Sequence, residues 1–250
     1  MKQTRIHWSA AALLVLMSGC ATVDPVSTKL QSAKTVGIIS AIADDFTVTP
    51  AGLTGLDSAD RTVSIASWGI DEFVVGRIGA ALTPRLQIQD VTYQRASFAH
   101  HEPASALPVI DRLRDIPVKT LVRTEVSPQG LDAYVIVTKA SSRYGSRGHT
   151  VSGLGAVDDR TVMAHYAAVY ALYTIWVIDG RSYEVIDKKS ASPLDNAEII
   201  RLSGPSHTIN PALLSRTDLA ASEQIRVALS DLLMKSLEVT LRDLRLVGRP

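Results

Sequence analysis

The sequence predicts an α/β fold, a sandwich of helices on a mixed β-sheet with a long helix at the C-terminus. Three observations predict it. Two short runs, Thr35-Val36-Gly37-Ile38-Ile39-Ser40-Ala41-Ile42 and Ala133-Tyr134-Val135-Ile136-Val137, have the apolar character of buried strands, and the second is apolar on both faces. Other stretches carry apolar residues at helical spacing, the longest near the C-terminus. The order strand, helix, strand, helices, strand, hairpin, helix interleaves the two types instead of segregating them.

Ala21 to Ser32 mixes Thr, Ser, Asp and Pro with few core-forming residues and reads as a flexible tether, so the first folded element begins near Lys34. Phe46-Thr47-Val48-Thr49 extends the first strand, Gly52, Gly55 and Asp57 mark a turn, and Arg61 to Ala66 returns as a partner strand. Ser67 is positioned to cap the next helix, and Asp71 and Glu72 favour its positive N-terminal end. Ile70, Phe73, Val74, Ile78, Ala81 and Leu82 form its apolar stripe, and Pro84 stops it. Leu86 to Tyr93 alternates like a half-buried strand. Past Pro103 come two helical patterns, near Val109 to Arg114 and Pro117 to Val126, before Ser127-Pro128-Gln129-Gly130 breaks the chain. A long strand from about Met163 to Ile178 meets the hairpin signal Asp179-Gly180 and returns through Tyr183-Glu184-Val185-Ile186, whose alternation puts it nearer an edge. From about Asp218 to Leu244, Ile225, Leu229, Leu233 and Leu237 recur at helical spacing.

The N-terminus carries an address. Lys2 and Arg5 form a positive region, Trp8 to Met17 an apolar one, and Ser18-Gly19 the small residues a signal peptidase needs, followed by Cys20, the only cysteine. Met17-Ser18-Gly19-Cys20 resembles the lipobox of bacterial lipoproteins, with Met17 in place of the usual leucine. The resemblance implies that Cys20 takes a thioether-linked diacylglycerol and becomes the first residue of the mature chain. Ala21 after it, rather than Asp, resembles an outer-membrane sorting signal and implies a lipid-anchored protein of the outer membrane facing the periplasm. A plain secretory peptide and an uncleaved anchor are the alternatives. The anchor fits worse, because a span needs about 20 apolar residues and His7 and Ser9 interrupt this shorter run. The expected organisation is a signal peptide over 1–19, a lipidated tether over 20–33 and a single α/β domain over 34–250.

Removing residues 1–19 takes Lys2 and Arg5 from the 26 basic residues, leaving 24 against 25 acidic ones, a balance of −1. Near-neutral, interspersed charge gives no electrostatic case for a nucleic-acid partner. With its one cysteine consumed by lipid, the body would stand on packing without disulfides.

The element order, together with the lipobox, looks like the periplasmic α/β domains of the curli secretion lipoprotein, of penicillin-binding-protein activator lipoproteins and of the N-terminal part of the Tol translocation protein. That likeness is architectural. Through Ser67-Trp68-Gly69-Ile70-Asp71, Val91-Thr92-Tyr93, Val151-Ser152-Gly153-Leu154-Gly155 and Tyr170-Ala171-Leu172-Tyr173 the chain also resembles an uncharacterised family of exported proteobacterial proteins, which implies a shared fold and no activity.

The Gly-rich stretch over 142–155 is the first candidate for chemistry. Its glycines would let backbone N–H groups cradle an anion, with Arg143, Arg147 and His149 supplying charge and Tyr144 a hydroxyl. It lacks the Gly-Lys-Ser/Thr ending of a P-loop and the third glycine of a dinucleotide fingerprint, and a hairpin end or extended ribbon is the plainer reading. His100-His101-Glu102 clusters metal-capable groups, but adjacent side chains diverge on either a strand or a helix, so a solvated loop is favoured and no metal site is expected. Ser203-Gly204-Pro205-Ser206-His207 sets serine beside histidine in sequence, where catalytic partners need only meet in space. Asp44-Asp45, Asp71-Glu72 and Asp158-Asp159 are read as a strand end, a helix first turn and a loop. Trp68 and Trp176 are read as core packing. The expectation is a non-enzymatic envelope lipoprotein without cofactor, bound to the membrane through lipid and contacting an envelope protein or a copy of itself. The alternative is a periplasmic small-ligand or anion-binding protein using the 142–155 loop.

Overall fold

The computed structural model describes residues 32–52, 59–99, 118–144, 149–160, 165–194, 202–215 and 218–247. The fold is α/β with a long C-terminal helix, and ten of the twelve described strands divide between two five-stranded sheets. In the first, β1 (Thr35–Ala41) lies between β4 (Gln87–Gln89) and β5 (Ala133–Lys139), parallel to both. The antiparallel pair β10 (Tyr173–Asp179) and β11 (Val185–Ser190) completes the order β11-β10-β5-β1-β4. In the second, β2 (Asp45–Gly52) pairs in parallel with β8 (Leu154–Arg160). The antiparallel neighbours β3 (Arg61–Ser64), β9 (His165–Ala171) and β12 (Ser206–Ile209) complete the order β12-β9-β8-β2-β3. The strands β6 (Ser141–Tyr144) and β7 (His149–Ser152) form a separate two-stranded ribbon.

The first sheet is covered on both faces because its strands are apolar at both parities. Val36 and Ile38 of β1, Val135 and Val137 of β5, and Ile175 and Val177 of β10 point to one face, where they join the inner face of the second sheet and two helices in one core. Those helices are α1 (Ile70–Leu82), whose Ile70, Val74, Ile78 and Leu82 recur every fourth residue, and α4 (Glu223–Asp243), buried through Ile225, Leu229, Leu233 and Leu237. The opposite parity, Ile39, Ile136 and Trp176, packs against Phe98 of α2 (Arg95–Ala99) and against Val118 and Val122 of α3 (118–125).

Local pattern and structure part company at the junction of the sheets. The run from Met163 to Ile178, expected as one strand, is two over its described part, 165–178. Leu172 breaks it, with β9 in the second sheet and β10 in the first. Likewise β2 does not extend β1 within one sheet but follows a turn at 42–44 into the other. Three backbone hydrogen bonds close a ring at this seam: Ala140 N–H to the Leu172 carbonyl (3.0 Å), Leu172 N–H to Gly153 (2.8 Å) and Gly153 N–H to Ala140 (2.9 Å). Gly153 holds φ at +62° there, a left-handed conformation that glycine adopts without steric cost. Lys139 lies over it and reaches Asp44 Oδ2 at 3.5 Å, tying the seam to the β1–β2 turn.

Ser67 is not the cap of α1. It lies in a 3₁₀ turn, Ala66–Trp68, and Gly69 is the N-cap residue. Leu86 to Tyr93 yields only the three residues of β4 and a bridge from Thr92 to Ser127. The return strand of the β10–β11 hairpin begins at Val185 and does lie at a sheet edge, as its alternation predicts. The helical pattern near Val109 to Arg114 lies outside the described residues.

At Gly155 a methyl group would run into the Thr47 carbonyl and the Tyr170 ring and hydroxyl, because β2 and Tyr170 close over the bare backbone. Gly155→Ala is therefore expected to cost about 3 kcal/mol or abolish folding. Gly76→Ala, on the open face of α1 with nothing within 4 Å of the added carbon, should gain about 0.5–1 kcal/mol. Urea midpoints check both, and equal midpoints for the two variants would contradict the seam geometry.

Candidate functional site

The Gly-rich stretch folds as the β6–β7 ribbon, in register from Ser141↔Ser152 to Tyr144↔His149. Its 145–148 tip, and Arg147 with it, lies outside the described residues. His149 is placed by its backbone at the start of β7. Arg143 is exposed and sits opposite Thr150. Tyr144 turns the other way. It is buried with Val151, Leu202 and Val157, and its hydroxyl donates to Asp159 Oδ2 at 2.7 Å. Burial, reinforced by that hydrogen bond and the Asp159 charge, pushes the phenol well above its ordinary range, so Tyr144 stays a protonated donor. Ser142 Oγ accepts the Ser203 N–H at 3.0 Å, and a bridge from Tyr144 to Leu202 adds a second stitch. The ribbon is thus clasped to the outer face of the second sheet, leaving Arg143 outward. Gly153 spends its N–H on Ala140 at the seam.

The acidic pairs sit in more structured surroundings than their sequence context predicts. Asp71 does occupy the first turn of α1, yet it is 1% exposed: Oδ1 accepts from Ser40 Oγ at 2.6 Å and from Ile42 N–H at 3.0 Å, and Oδ2 faces Arg95 Nη1 at 3.4 Å. Arg95 also bonds Glu72 at 2.8 Å. Glu72 is held below the usual carboxylate range by its own backbone N–H and then by Arg95. Tyr93 donates to the Ser40 carbonyl at 2.9 Å, and burial raises its hydroxyl pKa. Asp158 and Asp159 were expected in a loop, but both lie on β8. Asp158 is buried, engaging Arg160 at 2.9 Å and His165 Nε2 at 2.5 Å. Sequence spacing could not show these clusters, since Ser40, Asp71 and Arg95 come from separate elements.

Ser206 and His207 alternate on β12, the first buried and the second exposed, while the backbone of Ser203 serves the ribbon. Trp68 and Trp176 are core residues as predicted. Trp68 packs at a tilt against Phe46, ring centres 5.8 Å apart, and donates to the Ala220 carbonyl at 2.8 Å. Trp176 donates to Thr138 Oγ1 at 2.9 Å under Lys188, whose Nζ sits 4.9 Å from its ring centre. His100-His101-Glu102 and Cys20 lie outside the described residues. Among the described residues no group of three His, Cys, Asp or Glu side chains converges as a metal site would, and no helix is long and apolar enough to cross a membrane.

Where the chain enters the body, Asp132 Oδ2 accepts the N–H groups of Lys34 (2.9 Å) and Thr35 (3.1 Å), and Arg181 approaches its other oxygen at 3.4 Å. These backbone bonds, Lys34 first, hold the Asp132 carboxyl below the usual carboxylate range. The start of β1 is thereby pinned to the first-sheet end opposite the ribbon, which leaves from the far end of β5.

No protein-family model matches the chain, and no curated protein matches it. Among solved structures it is similar to a DUF330 protein from Xanthomonas campestris (8% identity, 86% of this chain and 85% of that one, TM-score 0.35). It is also similar to a neuraminyllactose-binding hemagglutinin homolog from Helicobacter pylori (8%, 88% and 85%, 0.37) and to the PelC dodecamer from Paraburkholderia phytofirmans (12%, 87% and 90%, 0.30). Superposition this loose assigns neither family nor function.

Tyr144→Phe removes a charge-assisted bond from a buried donor and should cost about 1–2 kcal/mol. Faster amide exchange confined to 141–152 is the expected signature, and unchanged protection there would refute the clasp. Asp132 has a depressed folded-state pKa, so its contribution is present above the unfolded value of about 3.9 and is lost as pH falls through the folded one. Asp132→Asn should therefore lower the thermal midpoint at neutral pH and flatten its decline below about pH 4.

Proposed function

We propose that the protein is a cell-envelope lipoprotein, held to the membrane through lipid on Cys20, whose body is a non-enzymatic protein-interaction or assembly module facing the periplasm. The supporting observation is the placement of the two ends of the first sheet. The tether joins the body at Lys34 and Thr35, beside Asp132, while the ribbon leaves from the opposite end of the parallel strands β1 and β5. Seven extended residues of β1 span about 23 Å, so a membrane-held N-terminus would carry the ribbon and the second sheet away from the bilayer.

The polar groups that could do chemistry are engaged as fasteners. Asp71 closes the β1–β2 turn, Asp159 holds Tyr144, and Asp158 is paired with Arg160 and His165. This supports a role in presenting surface over one in turning over substrate. Anchoring by the three acyl chains of a mature bacterial lipoprotein, at about 0.8 kcal/mol per buried methylene, would be permanent.

Expression of the wild type and of Cys20→Ser with radiolabelled palmitate tests the anchor. The wild type should take up label and sediment with membranes, and the variant should lose both and retain its N-terminal segment. An unlabelled wild type, or a variant still membrane-bound after washing, would contradict the reading.

A further inference from the structure

Helices α1 and α4 run side by side in the same direction and leave two hollows between them on the outer surface. The hollow near their N-termini, about 310 Å³, is lined by Phe73 and Val227 among others, and the one near their C-termini, about 300 Å³, by Ala81 and Met234. Val227, 48% exposed, is the only large hydrophobic residue exposed to this degree among the described residues. Gly76 and Ala80 of α1 are also exposed, and nothing lies within 4 Å of a Cβ built at Gly76, so another backbone can come close.

Charge is distributed unevenly along this face. At the N-terminal end Glu72, Glu223 and Asp231 stand against Arg95 and Arg226, whereas towards the C-terminal end Arg77, Lys235 and Arg242 outnumber Glu238. Several are neutralised within the chain: Glu223 by Arg226, Glu238 by Arg242 and Glu72 by Arg95. Arg77 and Asp231 have no ion-pair partner among the described residues. The charges left over, Asp231 on one side and Arg77 with Lys235 on the other, are of opposite sign and become self-complementary when a second copy is turned by 180°, the requirement of an isologous two-fold interface.

We propose that the α1–α4 face binds a second copy of this chain, antiparallel, with the two-fold axis between the two helices, midway between Arg77 and Asp231, so that Val227 fills the partner's hollow and Arg77 meets the partner copy's Asp231 across the interface. The proposal names the partner for the interaction role above but needs no lipid. If Cys20 proves unmodified, the dimer is still expected.

The test uses the full chain, purified in mild detergent and followed by sedimentation velocity. The wild type should dimerise. Arg77→Glu alone or Asp231→Lys alone should raise the dissociation constant about tenfold or more, and the double variant should restore it to within about threefold. Gly76→Arg should block association while unfolding no lower than the monomeric wild type, since any side chain at Gly76 favours the helix. Because all three positions are exposed, a folded monomer is readable as lost association. A wild type still monomeric at about 100 μM would overturn the proposal. So would a dimer indifferent to these substitutions, or no rescue in the double variant.

Discussion

Backbone groups released where β1, β5 and β10 meet the seam, β1 and β10 joined to the second sheet and β5 to the ribbon, must find partners, and the rest of the structure depends on how they do. A buried N–H or carbonyl without a partner costs as much as a lost hydrogen bond, so a bend through the middle of two sheets is tolerable only if its loose ends are tied. At β5 and β10 the ties are mutual, in the ring of Ala140, Gly153 and Leu172. At β1 there is no such neighbour, and a side chain substitutes: Asp71 reaches from α1 to take the Ile42 N–H and the Ser40 hydroxyl. The seam is therefore built partly from backbone and partly from one buried carboxylate.

That substitution explains the surroundings of Asp71. A carboxylate at 1% exposure needs compensation, which Ser40, Ile42 and the facing Arg95 provide. Arg95 begins α2, so the same charge that closes the turn also draws α2 towards the start of α1. The ribbon is attached by similar means, with Tyr144 on Asp159 and Ser142 on the Ser203 backbone. These polar contacts act at places where apolar packing alone would leave geometry undefined, whereas the helices are held by the continuous core that both sheets share.

Much of this was legible in the sequence wherever the deciding physics is local. The two-parity apolar runs of β1 and β5, the four-residue stripe of α1 and the leucine spacing of α4 each state a conformation and a buried face together. The Asp179-Gly180 turn and the packing role of Trp68 were equally plain. Of the candidate site, the ribbon itself was the plainer sequence reading, but that its alternation turns Tyr144 inward and leaves Arg143 outward depends on the sheet face it packs against. Asp158 and Asp159 read as a loop because two adjacent acids and a following arginine look solvated. Their true position on β8 depends on Ala167 and Tyr166, the residues they face across the ladder.

By itself, then, the sequence determined the α/β class, the apolar faces of the main elements and the N-terminal segment that resembles a lipobox, since each rests on the spacing of nearby residues. Only the tertiary structure decided that Leu172 divides one apolar run between two sheets, that Asp71 closes the β1–β2 turn and that α1 and α4 lie parallel with a polarised face outward. Those features depend on which distant segments become neighbours. A single strand's pattern is the same whichever sheet receives it, so partner geometry, rather than periodicity, makes the choice.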